Sequence, residues 1–201
     1  MFDDLFMSEL TILARHGAEN ASLALSRLMQ RKFLITVNEV KTVPIQEVPE
    51  SLGESDAIAI CLFTKVEGDI EGDAILILKE NDALNLIEIL GGDKNVNIEE
   101  SIGEMELSML QETANITISS FMNTFMSYLN KSAIPSSPIY IRDLIGSILS
   151  VIIMESAEES DNALLFSTQF ECKNKEMEAM FIFLPSPSSL KKLKNGLTNA
   201  Q

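Results

Sequence analysis

The chain has 201 residues, 46% of them hydrophobic, and a formal charge of −15 from 30 acidic against 15 basic side chains. That length suits one domain of ordinary size or two small repeats, and the charge argues against nucleic acid as a partner, leaving a basic or cationic protein surface as the better match. No apolar run reaches the roughly 20 residues that a bilayer-spanning helix needs; the nearest, Leu144 to Met154, contains Gly146, Ser147 and Ser150, so membrane insertion is not expected.

The start, Met1-Phe2-Asp3-Asp4, is acidic where a secretory signal is basic, which makes the cytoplasm the expected compartment. From Asp3 to Arg31, Leu5, Phe6, Leu10, Leu13, Ala14, Ala21, Ala24, Leu25 and Leu28 recur at helical intervals and predict a long helix with a weak point at Gly17. Extended segments follow at Phe33 to Val43, Ala57 to Val66 and Ile70 to Leu78, the last two joined by the turn-prone Glu67-Gly68-Asp69; they predict a strand, a loop and a hairpin. Asn81 to Leu90 predicts a helix stopped by Gly91-Gly92, and the polar stretch through Asn97 is the expected hinge.

The order then recurs: a long helix from about Ile98 to Leu129, a strand near Ile139 to Ile141, a helix near Asp143 to Met154 and two further strands. The long helices align without a gap in a register that sets Leu5 on Met105, Ser8 on Ser108, Leu10 on Leu110, Ile12 on Glu112, Arg15 on Asn115 and Leu25 on Phe125. Further along, Ile75-Leu76-Ile77-Leu78 matches Phe181-Ile182-Phe183-Leu184, and Leu84 falls on Leu190. The expectation is one α+β domain of two repeats, about 1–97 and 98–201, related by a pseudo-twofold axis, with an antiparallel sheet carrying the two long helices. An internal duplication of this kind favours a monomer, since one chain supplies both halves.

Cys61 and Cys172 lie in or beside strand-like segments without metal-ligand spacing and read as buried thiols. The single histidine, His16, has no local partners for a triad or a metal site, and no glycine-rich phosphate loop follows a strand. The acidic run Glu155 to Asp161 reads as a solvated loop. The informative stretch is Ser108-x3-Glu112-x2-Asn115. At about 100° per residue its three polar side chains share one narrow sector of the helix, while Leu107, Leu110, Ala114, Ile118, Phe121 and Phe125 fill another that faces the core. Met122 and Met126 extend the stripe of Asn115 and read equally as core and as partner contact.

Glu104-Met105-Glu106-Leu107-Ser108-Met109-Leu110-Gln111-Glu112-Thr113-Ala114-Asn115-Ile116, with Pro138 after a further twenty-two residues beyond Asn115, resembles the active-site signature of the CheC/CheX/FliY family of phosphatases. Gly17 to Ser26 resembles the helix of that family's first repeat, and Pro135 to Pro138 ahead of Asp143-Leu144 its second-repeat loop. The duplicated layout is closest to the CheC branch. That branch commonly carries one site per repeat, but here the first-half positions are Ser8, Ile12, Arg15 and Asn38, which keep the hydroxyl and lack the carboxylate, the carboxamide and the proline.

The resemblance implies hydrolysis of the phosphoaspartate of the response regulator CheY. It implies that Glu112 pairs with the regulator's active-site lysine and that Asn115 aligns the attacking water, Ser108 and Pro138 being supporting members of the motif. A carboxamide suits this task because it offers an acceptor and two donors without net charge, so it holds water beside an anionic phosphoryl group without repelling it. No cofactor of its own is implied; Mg²⁺ belongs to the regulator. Two further family roles are implied as alternatives, a regulatory adaptor that binds the receptor deamidase CheD, and a flagellar switch component of the FliY type.

Overall fold

The computed structural model describes residues 2–53, 55–92, 102–156 and 161–198. The first long helix, α1 (Asp4–Met29), begins where the Asp3 carboxylate accepts the Phe6 N–H at 2.8 Å, a side-chain cap that satisfies one of the orphan donors of the first turn. Its equivalent in the second half, α4 (Glu104–Leu129), has the same 26 residues. Both end on a non-glycine residue in the left-handed region, Gln30 at φ 52° and Asn130 at φ 51°. The hinge expected through Asn97 and most of the acidic run 155–161 fall outside the described residues.

Among the described residues, seven strands form a single antiparallel sheet. They are β1 (Leu34–Pro44), β2 (Ile58–Gly68), β3 (Gly72–Lys79), β4 (Ala133–Pro135), β5 (Ile139–Leu144), β6 (Asn162–Cys172) and β7 (Lys175–Pro185). The spatial order is β1-β6-β7-β3-β2, with β4 and β5 both on the free side of β2. At the centre β3 pairs with β7, Gly72 opposite Pro185 and Leu78 opposite Ala179. Moving outward, each half's hairpin is extended by the other half's first strand: β1 on β6, and β4 with β5 on β2. This exchange is the pseudo-twofold arrangement that the duplicated sequence predicts.

Alternation along the strands sorts the core into two layers. Ile60, Leu62, Ala74, Leu76, Leu164, Phe166, Phe181 and Phe183 point to the face that carries α1 and α4. Cys61, Ile75, Ile77, Leu165 and Ile182 point to the opposite face. There they meet Val48 of the short α2 (Val48–Leu52) and Ile148, Leu149 and Ile152 of α5 (Ile145–Ser156). Phe121 of α4 lies within 5.0 Å of the Phe181 ring and 6.0 Å of the Phe166 ring, centroid to centroid, so an aromatic cluster fixes the helix on the sheet.

Gly17, expected to weaken α1, sits in an unbroken helix. A Cβ there would come within 3.0 Å of the Phe121 backbone Cα. The missing side chain therefore lets the backbone of α1 pack directly on the backbone and ring of Phe121 where the long helices cross, which offsets its cost in helix propensity.

Two helices flank the long pair. The first, α3 (Glu80–Leu90), matches the predicted one and is capped by Gly91 at φ 100°. The second, α6 (Pro187–Thr198), was not anticipated; it buries Ser189, Leu193 and Leu197. No helix among the described residues is long and apolar enough to cross a membrane.

Candidate functional site

The middle of α4 positions the candidate site. Leu110, Ala114 and Ile118 are buried against the sheet, Leu107 is half-buried, and the opposite side of the helix carries Ser108 and Glu112 in the open with Asn115 half-buried. Neighbours three apart on a helix surface stand roughly 5–6 Å apart at Cβ, so the carboxylate and the carboxamide are presented together. Ser119, one turn further on, brings its Oγ to 3.5 Å from Asn115 Oδ1.

The proline reaches this face through an irregularity in the sheet. Val66 pairs with Pro135 of β4, and Phe63 pairs with Ile139 of β5, so residues 136–138 lie opposite only Thr64 and Lys65. Ser136 stays tied to β2: its backbone N–H donates to the Lys65 carbonyl at 2.8 Å, and its Oγ accepts the Lys65 N–H at 3.1 Å. The surplus length, a bulge in effect, is taken up by Ser137 and Pro138. Gln111 Nε2 donates to the Pro138 carbonyl at 2.8 Å and holds this arch against α4.

The outcome is a shallow pocket of about 270 Å³ lined by Ser108, Gln111, Glu112, Asn115, Ser137 and Pro138. All four motif residues converge there from two segments. Gln111 and Ser137 were missed by sequence reasoning; their only advance signal is adjacency to the motif, Gln111 one residue before Glu112 and Ser137 one before Pro138.

The methionines are a correction. Met122 is 0% and Met126 4% exposed, and both belong to the main core, so neither is a partner contact. They share the angular position of Asn115, but the C-terminal part of α4 runs under β4, with Met126, Ala133 and Ile134 around one depression. A stripe that is open at Asn115 is thus roofed over two turns later.

In the first half, Ser8, Ile12 and Arg15 lie on the exposed side of α1. Asn38 sits where the β1–β6 register slips between Val37 and Glu39, the place that corresponds to the Pro138 arch. The backbone irregularity is therefore retained in this half, with isoleucine and arginine in the positions of the acid and the amide. His16 is exposed beside Glu19 and Asn20 in a polar groove between α1 and α4. Cys61 and Cys172 are buried and unpaired, and burial pushes the Cys61 thiol up to about 12.

A scan against models of known protein families finds no match. The chain is 27% identical over 181 residues to the CheY-P phosphatase CheC of Bacillus subtilis, covering 88% of this chain and 86% of that protein. Over 119 residues it is 25% identical to the flagellar motor switch phosphatase FliY of the same organism, covering 59% and 31%. Among solved structures, Thermotoga maritima FliY superposes with a TM-score of 0.78 at 16% identity, with all of both chains covered. The FliM middle domain from H. pylori gives 0.64 at 11% identity, covering 96% and 99%; these two structural likenesses define the fold.

Proposed function

Because the chain belongs to the CheC/CheX/FliY family, we propose that it is a phosphatase that hydrolyses the phosphoaspartate of a CheY-type response regulator, with Asn115 and Glu112 as its catalytic pair. The observation that carries this reading is the convergence of Ser108, Glu112, Asn115 and Pro138 on one outward-facing pocket. An aspartyl phosphate is a reactive acyl phosphate. What remains for the enzyme is to place a water in line with phosphorus, which is catalysis by positioning. Asn115 does this as a neutral donor and acceptor. Glu112, one turn away, is kept off the phosphoryl oxygens by like charge and pairs with the regulator's lysine. Ser108 lines the contact one turn earlier, and Pro138 stiffens the arch that Gln111 clamps. The Mg²⁺ of the reaction sits on the regulator.

Phosphate release from phosphorylated CheY tests the assignment. Asn115→Ala should slow it by about two orders of magnitude, the scale of losing one well-placed group in such a site, and equal rates for the two proteins would remove Asn115 from catalysis. We further read the chain as one cytoplasmic, monomeric domain of two repeats, about 1–97 and 98–201.

A second reading, an adaptor that binds CheD, draws on the first half, where Ile12, Arg15 and Asn38 replace the reactive positions. It expects CheD to be retained in a pull-down while the lifetime of phosphorylated CheY stays unchanged.

A further inference from the structure

On the other side of Glu112 lies a larger groove, about 530 Å³, whose walls come from three helix ends. Leu28 and Met29 close α1, Ile89 and Leu90 close α3, and Met105 and Met109 belong to the first turns of α4. Arg31 ties two of these ends together, its Nε donating to the Met29 carbonyl at 3.3 Å and its Nη1 to the Ile89 carbonyl at 3.4 Å. Ser108 and Glu112 line both this groove and the candidate pocket. Leu28 and Met105 stand 55% and 56% exposed on its rim.

The molecule supplies its own comparison. In the register that sets Leu5 on Met105, Glu9 stands on Met109 and Tyr128 on Leu28. At these pseudo-symmetric positions, Glu9 on α1 and Tyr128 near the end of α4, the Tyr128 hydroxyl donates to Glu9 Oε2 at 3.2 Å. Leu5 and Leu129 match Met105 and Met29 and are equally apolar, but where the acid and amide have become Ile12 and Arg15 the positions matching Leu28 and Met109 are polar and bonded to each other. Where the motif is intact, they are apolar and part of an open groove.

We infer that this groove is the docking subsite for the response regulator, receiving an apolar side chain from the surface beside its phosphorylated aspartate while Glu112 and Asn115 reach the phosphoryl group. The inference rests on the phosphatase reading. Glu112 and Asn115 project from a helix face and not from a deep cleft, so a protein that brings its phosphoryl group to them must lay its surface across α4 and over the adjoining groove. The catalytic pocket offers mostly polar walls, whereas the groove offers flexible methionines and leucine, side chains that adapt to a partner and gain from burial. Its two charged wall residues, Arg31 and Glu112, are of opposite sign, so the groove itself adds no net charge against an incoming phosphoryl group in a protein of net charge −15.

Leu28→Ser and Met105→Ser remove apolar wall without adding charge, at exposed positions where the fold is retained. Steady-state hydrolysis of phosphorylated CheY and the binding of CheY carrying a non-hydrolysable phosphoryl mimic are measured for both variants, for wild type and for Leu5→Ser, the matched control on the first half. KM and Kd should rise about tenfold in each groove variant, as for a residue at the centre of an interface, with kcat within about twofold and Leu5→Ser unchanged. Asn115→Ala should give the opposite split, kcat lost and Kd kept. Unaltered KM and Kd in both groove variants would overturn the docking subsite and leave the phosphatase reading standing. A wild type that hydrolyses nothing would end the phosphatase reading, and binding then decides alone: weaker Kd in the groove variants keeps the subsite, and absent or equal binding removes it.

Discussion

Gln111→Ala tests whether the arch carrying Pro138 is held in place for catalysis or merely rests near the site. The bond it deletes is a neutral one, Nε2 to the Pro138 carbonyl at 2.8 Å, between a half-buried donor and a buried proline. Such a bond contributes about 0.5–1.5 kcal/mol net. For a chain of this size each kcal/mol moves the melting temperature by about 2–4 °C, so thermal unfolding should shift down by a few degrees. Activity should fall further than stability. Ser136 stays tied to β2 by two hydrogen bonds, but Ser137 and Pro138 lose their tether to α4, and a displacement of about 1 Å in a positioned site costs about 100-fold in rate. We therefore expect kcat on phosphorylated CheY to drop between about 10- and 100-fold in Gln111→Ala. Gln111→Glu, with no donor at neutral pH, should fall at least as far. Differential scanning fluorimetry and phosphate release read the two effects separately. A lower melting temperature with an unchanged rate would show that the clamp serves the fold alone; no change in either would mean that the bond contributes nothing in solution.

Other outcomes follow from burial. Met122→Ala empties a fully buried position and should cost about 2–5 kcal/mol in urea unfolding, whereas Met105→Ala, at an exposed position, should stay within about 0.5 kcal/mol; comparable midpoints for the two would contradict the core placement of Met122. Cys61, with its thiol raised to about 12 by burial, should resist a thiol reagent at pH 8 in the native protein and react once urea unfolds it, because the thiolate is the reactive form. Prompt labelling of native Cys61 would refute its enclosure.

The elements were legible wherever periodicity was unambiguous. The long helices, the hairpin of β2 and β3 and the helix before Gly91 follow from apolar spacing and turn residues; most bounds differ from expectation by one or two residues, while α4 begins at Glu104 and its expected start near Ile98 lies outside the described residues. What periodicity does not carry is the neighbour each face will meet. Asn115 and Met122 have the same angular position on α4, yet one is half-open and the other buried, because β4 covers only the end of the helix. Gly17 looked like a flaw because local propensity says nothing of a helix crossing. The helix α6 hid in a short segment whose buried face is only Ser189, Leu193 and Leu197. Within the site, the motif residues were readable because their types and spacing are chemical. Gln111 was not, since its role depends on a carbonyl far along the chain that an extra residue in the sheet pushes toward it.

The exchange of outer strands has a consequence for synthesis. As the nascent chain leaves the ribosome, β2 and β3 find each other at once, but the partners of β1 and of the outer edge of β3 are β6 and β7, made last. Until the second half is made, β1, the outer edge of β3 and the free side of β2 are unsatisfied backbone edges in the emerging polypeptide, each a template for pairing with a neighbouring molecule. Sharing strands between duplicated units thus gains a seamless sheet at the cost of a vulnerable interval, one that ends only when β6 and β7 have emerged.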